Sequence, residues 1–140
     1  MMSLFNTASR LTLACVLFFG VASGEARAAD AVVHAVLFYS PTCPHCHEVI
    51  TNTLEPMAAQ YGDALAIAAV DVTTEEGQKL FNVALFNFAV PEERQGVPML
   101  IIGERVLVGS GEIPEQFPGL VEAHLARGGI DWPALPGFSV

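Results

Sequence analysis

Apolar and polar positions divide the chain into a short series of elements. Residues 32–39 are apolar apart from His34, which predicts a strand covered on both faces and central to its sheet. Ser40-Pro41-Thr42 interrupts the run. From Cys43 onward apolar residues return at helical spacing through Ile50, Leu54, Met57, Ala58 and Tyr61, and Gly62 stands where a helix should end. Pro44 falls in the first turn, where a missing N–H costs nothing, whereas Pro56 predicts a kink. Residues 65–70 read as a second strand that ends at Asp71. Thr73 with Glu76 is a capping-box pattern and predicts a helix over 74–88, stopping before Pro91. Leu80, Phe81, Val83, Ala84, Leu85, Phe86 and Phe88 go round most of that helix. Two readings follow: a helix buried by the rest of the fold, or one with an exposed patch for a client chain or membrane partner. Residues 98–102 and 105–108 read as a hairpin turned by Gly103-Glu104, with glycine first as a type II′ turn prefers. Ser110 and Gly111 read as a loop. A last helix is expected from about Pro114, with Phe117, Leu120, Val121, His124 and Leu125 on one face, and it ends at Gly128-Gly129.

The predicted order is strand, helix, strand, helix, hairpin, helix. A strand–helix–strand crossover makes parallel strands and a hairpin antiparallel ones, so the expected class is α/β: a mixed four-stranded sheet with helices on both faces. The expected organisation is a signal segment over 1–28, one domain over 29–129, and a tail over 130–140 that holds Trp132. In the signal segment Arg10 precedes an apolar run over 11–22, and Ala26-Arg27-Ala28 fits the small-residue rule for signal cleavage. Twelve apolar residues are too few to cross a bilayer, which takes about 20. The expectation is therefore an exported, extracytoplasmic or periplasmic protein that is soluble once the segment, with Cys15, has been removed. Its loss takes two arginines and one glutamate from a net charge of −9 and leaves −10. So acidic a chain is a poor partner for nucleic acid, and the charge serves solubility.

After cleavage the only cysteines are Cys43 and Cys46. A structural disulfide scaffold needs more pairs at wider spacing, so one tight pair in an exported protein points to a working disulfide. Cysteines three apart on the first turn of a helix are neighbours, and their sulfurs can close a disulfide or open to a dithiol. The helix start favours the thiolate of Cys43, and His45 between the two cysteines can add to this by pointing an N–H or a positive charge at that sulfur. Stabilising the thiolate stabilises the reduced form and makes the disulfide more oxidising. Other chemistry fits the same residues. Cys43-Pro44-His45-Cys46-His47 matches the C-x-x-C-H attachment signature of c-type haem, for which Met57 or Met99 is the candidate axial ligand. Cys43, Cys46, His45 and His47 could also serve as metal ligands, although four ligands in five residues reach one tetrahedral ion with difficulty.

Cys43-Pro44-His45-Cys46 after a buried strand, with Gly96-Val97-Pro98 later opening a hairpin, resembles the thioredoxin superfamily. The His-containing dipeptide and the valine before the proline are similar to its DsbA-like, disulfide-donating branch. Tyr39-Ser40-Pro41-Thr42 and Asp131-Trp132-Pro133 look like the thioredoxin-like domains that accompany bacterial vitamin K epoxide reductase-type membrane proteins. The resemblance covers about residues 32–127. It implies a thioredoxin-like fold and a thiol-disulfide oxidoreductase whose redox-active disulfide, Cys43–Cys46, replaces any cofactor or metal. Catalytic roles are implied for Cys43, Cys46, His45 and Pro44. Val97 and a cis Pro98 are implied to dock an extended client peptide by strand addition. The implied partners are cysteine-containing exported clients and a membrane redox protein, possessing vitamin K epoxide reductase-like chemistry, that re-oxidises or reduces the pair. A reductase or electron carrier remains the alternative. One departure matters: the buried acid that many relatives carry six residues before the first cysteine is Leu37 here. Its replacement removes a negative charge that would oppose the Cys43 thiolate and a base for Cys46, and both effects favour donation. His34 is a weak substitute and reads better as a strand histidine near the surface.

Overall fold

The computed structural model describes residues 31–140, so the expected signal segment lies outside the described residues. Strand β1 (Val32–Tyr39) is the centre of the sheet. It runs parallel to β2 (Leu65–Asp71), from Val33 opposite Leu65 to Tyr39 opposite Asp71, and antiparallel to β3 (Met99–Ile102). Strand β4 (Arg105–Val108) pairs with β3 through a two-residue turn, and Gly103 at its head has a φ of +56°. The sheet has five strands rather than four, because Gly129 and Ile130 form a short β5 that pairs with Val32 and Val33. Two residues are too few for a hydrophobic period, so the pattern gave no strand there; backbone pairing alone makes it.

Side chains alternate along β1 and build a core on each face. Val33, Ala35 and Leu37 join one cluster with Val49, Leu54, Met57, Ile113, Phe117 and Val121. Val36 and Phe38 join the other with Phe81, Ala84, Val90, Met99, Ile101 and Leu135. The first face is therefore covered by the helices after β1 and after β4, and the second by α3 (Glu75–Asn87) and the C-terminal tail. This connectivity, a parallel βαβ unit, a crossing helix, then a hairpin and a helix, is the thioredoxin-like fold expected from the sequence.

Three boundaries differ from expectation. The helix after the dithiol runs as α1 (Pro44–Val49), a π-helical turn over Ile50–Leu54 and α2 (Glu55–Tyr61). Pro56 has no N–H for the carbonyl of Asn52, and its ring crowds that carbonyl; the helix opens by one residue, with the Glu55 N–H donating to the Ile50 carbonyl. The cap of α3 is Thr74 rather than Thr73: its hydroxyl accepts from the Gly77 N–H at 3.0 Å. Thr73 is instead held in a turn by Asp71, whose carboxylate accepts from its N–H at 2.9 Å and its hydroxyl at 2.7 Å. Helix α3 is not buried all round: Phe81 and Ala84 are buried whereas Phe86 is 90% exposed.

The third difference bears on function. Helix α4 spans Gly109–Leu125, with Pro114 and Pro118 inside it, so Ser110 and Gly111 are helical rather than a loop. Gly109 turns the chain from strand into helix in one residue at a φ of +87°, a conformation that side-chain-bearing residues rarely adopt. Glu112 then reaches back to accept the Val108 N–H at 3.0 Å and satisfies a donor at the helix start. Tertiary packing of Ile113, Phe117 and Val121, all wholly buried, outweighs the poor helix propensity of three glycines.

Candidate active site at the dithiol

Cys43 is the N-cap of α1, with extended backbone (φ −87°, ψ 115°), and its sulfur accepts from the Cys46 N–H at 3.3 Å. Pro44 occupies the first helical position, where its fixed φ suits the turn and no N–H is lost from the ladder. Both cysteines are free thiols, and they differ in environment: Cys43 is half-buried at the surface and Cys46 is wholly buried. Burial, above all, pushes the Cys46 thiol up to about 11; its hydrogen bond with Cys43 and the nearby charge of that residue act in the same direction.

The Val97–Pro98 peptide bond is cis, and the Val97 carbonyl faces the Cys43 sulfur at 3.8 Å. Residues from two distant parts of the sequence thus meet at one end of the sheet. The loop carrying them is braced from three sides. Arg94 donates to the Glu112 carboxylate at 2.6 Å and to the Val106 carbonyl at 3.4 Å, Gln95 donates to the Val90 carbonyl at 3.0 Å, and the Gly109 N–H donates to the Pro98 carbonyl at 2.8 Å.

The histidines of the motif take different directions. His47 bonds the Pro41 carbonyl through Nε2 at 2.7 Å and so braces the loop before the dithiol. His45 is exposed, and its Nδ1 lies 3.4 Å from the Ser110 hydroxyl and 3.8 Å from the Glu48 carboxylate. Ser110, Glu48, Arg94 and Glu112 were not anticipated from sequence. Gly109-Ser110-Gly111 carries no helical pattern, and an arginine–glutamate pair 18 residues apart leaves no local signal.

Leu37, 2% exposed, packs in the core with Val49, Leu54 and Met57, and it lines an open cavity of about 190 Å³ whose one charged lining residue is Glu55. His34 is far down β1, where its Nδ1 bonds the Ile130 carbonyl at 2.8 Å and its ring packs on Trp132 at 4.6 Å. Met57 and Met99 are both within hydrophobic clusters. Among the described residues no three His, Cys, Asp or Glu side chains gather as a metal site.

No family model matches the chain, and no curated protein matches it by sequence. Among solved structures it is similar to the germline-specific thioredoxin Deadhead of Drosophila melanogaster, at 19% identity over 69% of this chain and 84% of that one, with a TM-score of 0.46. A malarial protein gives 17% identity over 67% of this chain and 98% of that one, with a TM-score of 0.46. The holo form of glutaredoxin C1 from Populus tremula × tremuloides gives 18% identity over 70% and 79%, with a TM-score of 0.41. The strand order and connectivity of the chain itself carry the assignment of a thioredoxin-like fold.

Proposed function

We propose that the chain is an exported thiol-disulfide oxidoreductase of the DsbA-like kind, which donates the Cys43–Cys46 disulfide to cysteine-containing client proteins. The observation that carries this reading is the asymmetry of the pair: a reachable Cys43 at a helix start beside the Val97 carbonyl, and a wholly buried Cys46 whose thiol is pushed up to about 11.

In the oxidised protein a client thiolate attacks the Cys43 sulfur. The Cys43–Cys46 bond breaks, a mixed disulfide forms, and Cys46 leaves with the electron pair and takes up a proton. The client backbone lies along Val97 as an added strand. A second client thiolate then attacks the client sulfur of the mixed disulfide and expels Cys43. The client gains a disulfide and gives up two electrons, and the protein is left as a dithiol. The alternative exit is attack by Cys46 on the mixed disulfide, which returns the client reduced. That exit needs the Cys46 thiolate, whose formation burial opposes, and Leu37 stands where a buried acid would otherwise serve as its base. This supports donation over reduction. Re-oxidation requires an electron acceptor, for which we propose a membrane redox protein, vitamin K epoxide reductase-like in its chemistry.

Mixing the oxidised protein with a reduced two-cysteine peptide and following the products by mass spectrometry tests the reading. Peptide oxidation is expected from the wild type and none from Cys43→Ser, while Cys46→Ser should accumulate a mixed disulfide. Oxidation by the Cys43→Ser protein would overturn it, and a strong visible absorption band in the purified protein would move the chemistry to haem.

A further inference from the structure

The hydroxyl of Ser110 and the carboxylate of Glu48 meet on the same nitrogen of His45, at 3.4 and 3.8 Å. With a carboxylate and an oxygen acceptor on one side, that nitrogen is best served by carrying a proton, and the Ser110 oxygen accepts from it. Nε2 then remains the edge of the ring without a partner among the described residues. Ser110 itself is well placed to hold something. It sits in the first turn of α4, which is fixed by the bond from Gly109 to the Pro98 carbonyl and by Glu112, bound at once to Arg94 and to the Val108 N–H.

We propose that Ser110 is a positioning residue for the dithiol: it holds the exposed His45 imidazole by Nδ1, so that the ring keeps one orientation beside Cys43 instead of sweeping through solvent. A helix belonging to the client-docking side of the site thereby controls a side chain belonging to the dithiol side. The other titratable groups nearby are accounted for. On the helix of His45 they are Cys43, the buried Cys46, Glu48 and His47, the last turned to the Pro41 carbonyl; on α4 it is Glu112, engaged by Arg94. No charged side chain stands in the Gly96-Val97-Pro98 segment.

This inference rests on the reading of Cys43 as the attacked sulfur, and the test separates the two. The thiolate absorbance of the reduced full chain is followed through a pH titration for wild type, Ser110→Ala, Ser110→Thr, His45→Ala and the Ser110→Ala/His45→Ala double variant. One exposed hydrogen bond is worth less than about 1 kcal/mol, so Ser110→Ala should move the Cys43 titration upward by about half a pH unit. Ser110→Thr, which keeps the hydroxyl, should restore it. In the His45→Ala background the serine substitution should have no effect. A Ser110→Ala titration unchanged from wild type, or a shift that persists without His45, overturns the inference. Either result in a protein that still oxidises the peptide leaves the proposed function standing, whereas loss of transfer by the wild type removes that function itself.

Discussion

The two ends of β1 both carry histidine and use it differently. At the start of the strand His34 is part-buried, bonded to the Ile130 carbonyl at 2.8 Å and packed on Trp132, which in turn packs on Phe138. Past the end of the strand His45 and His47 are exposed, and each is held by one nitrogen only. The first histidine stitches the tail to the sheet; the second pair leaves ring edges open next to a half-buried sulfur. Each of the three rings engages a single nitrogen, so burial and ring packing, not residue type, separate an end that contributes stability from an end that contributes chemistry.

If the ends are separable in this way, damage at the tail end should cost stability and leave Cys43 untouched. Gly129→Ala should have the largest effect, about 3 kcal/mol in urea denaturation, because Gly129 lies at a φ of +93° and an added Cβ would fall 2.3 Å from the Val32 carbonyl oxygen. Trp132→Ala should cost somewhat less, about 2 kcal/mol, since the indole is only half-buried against His34 and Phe138. In both variants the rate at which Cys43 reacts with a small disulfide should match the wild type; a slowed reaction would show that the ends are coupled. The dithiol end should show a smaller effect and only at alkaline pH. In the unfolded chain the Cys46 thiol ionises near its ordinary 9.0, and in the folded chain near 11. Between those values the unfolded chain has released a proton that the folded chain keeps, so the reduced protein should lose stability progressively as pH rises through that window, by roughly 1 kcal/mol at about pH 9.5. Cys46→Ala should flatten the profile. An unchanged slope in that variant would mean that another group causes it.

Most of the fold was legible because it depends on strong local patterns. The apolar run of β1, the turn glycine Gly103 and the helical spacing of α3 each have one structural solution. The dithiol was legible from Cys43 and Cys46, and Val97-Pro98 through resemblance. Features hidden from the sequence are the ones that depend on distant partners. Helix α4 starts at Gly109 because Ile113, Phe117 and Val121 find a core to fill, and β5 exists because Val32 and Val33 present free backbone groups to Gly129 and Ile130. Thr73 and Thr74 offer the same cap chemistry, and Asp71 decides between them by engaging Thr73. His45 was legible as a residue of the dithiol motif, but Ser110, the partner of its Nδ1, comes from another helix with no sequence signal linking the two.

The π-helical turn over Ile50–Leu54 sets a length requirement on this chain. Val49 and Leu54 are five residues apart and fill the same core, whereas on an uninterrupted α-helix they would stand about 140° apart. The extra residue rephases the helix between its reactive start and its anchoring end. A one-residue deletion within 50–54 would therefore turn either Cys46 or the Leu54–Met57 stripe away from the sheet, so that natural variation in this segment should preserve its length more strictly than its composition.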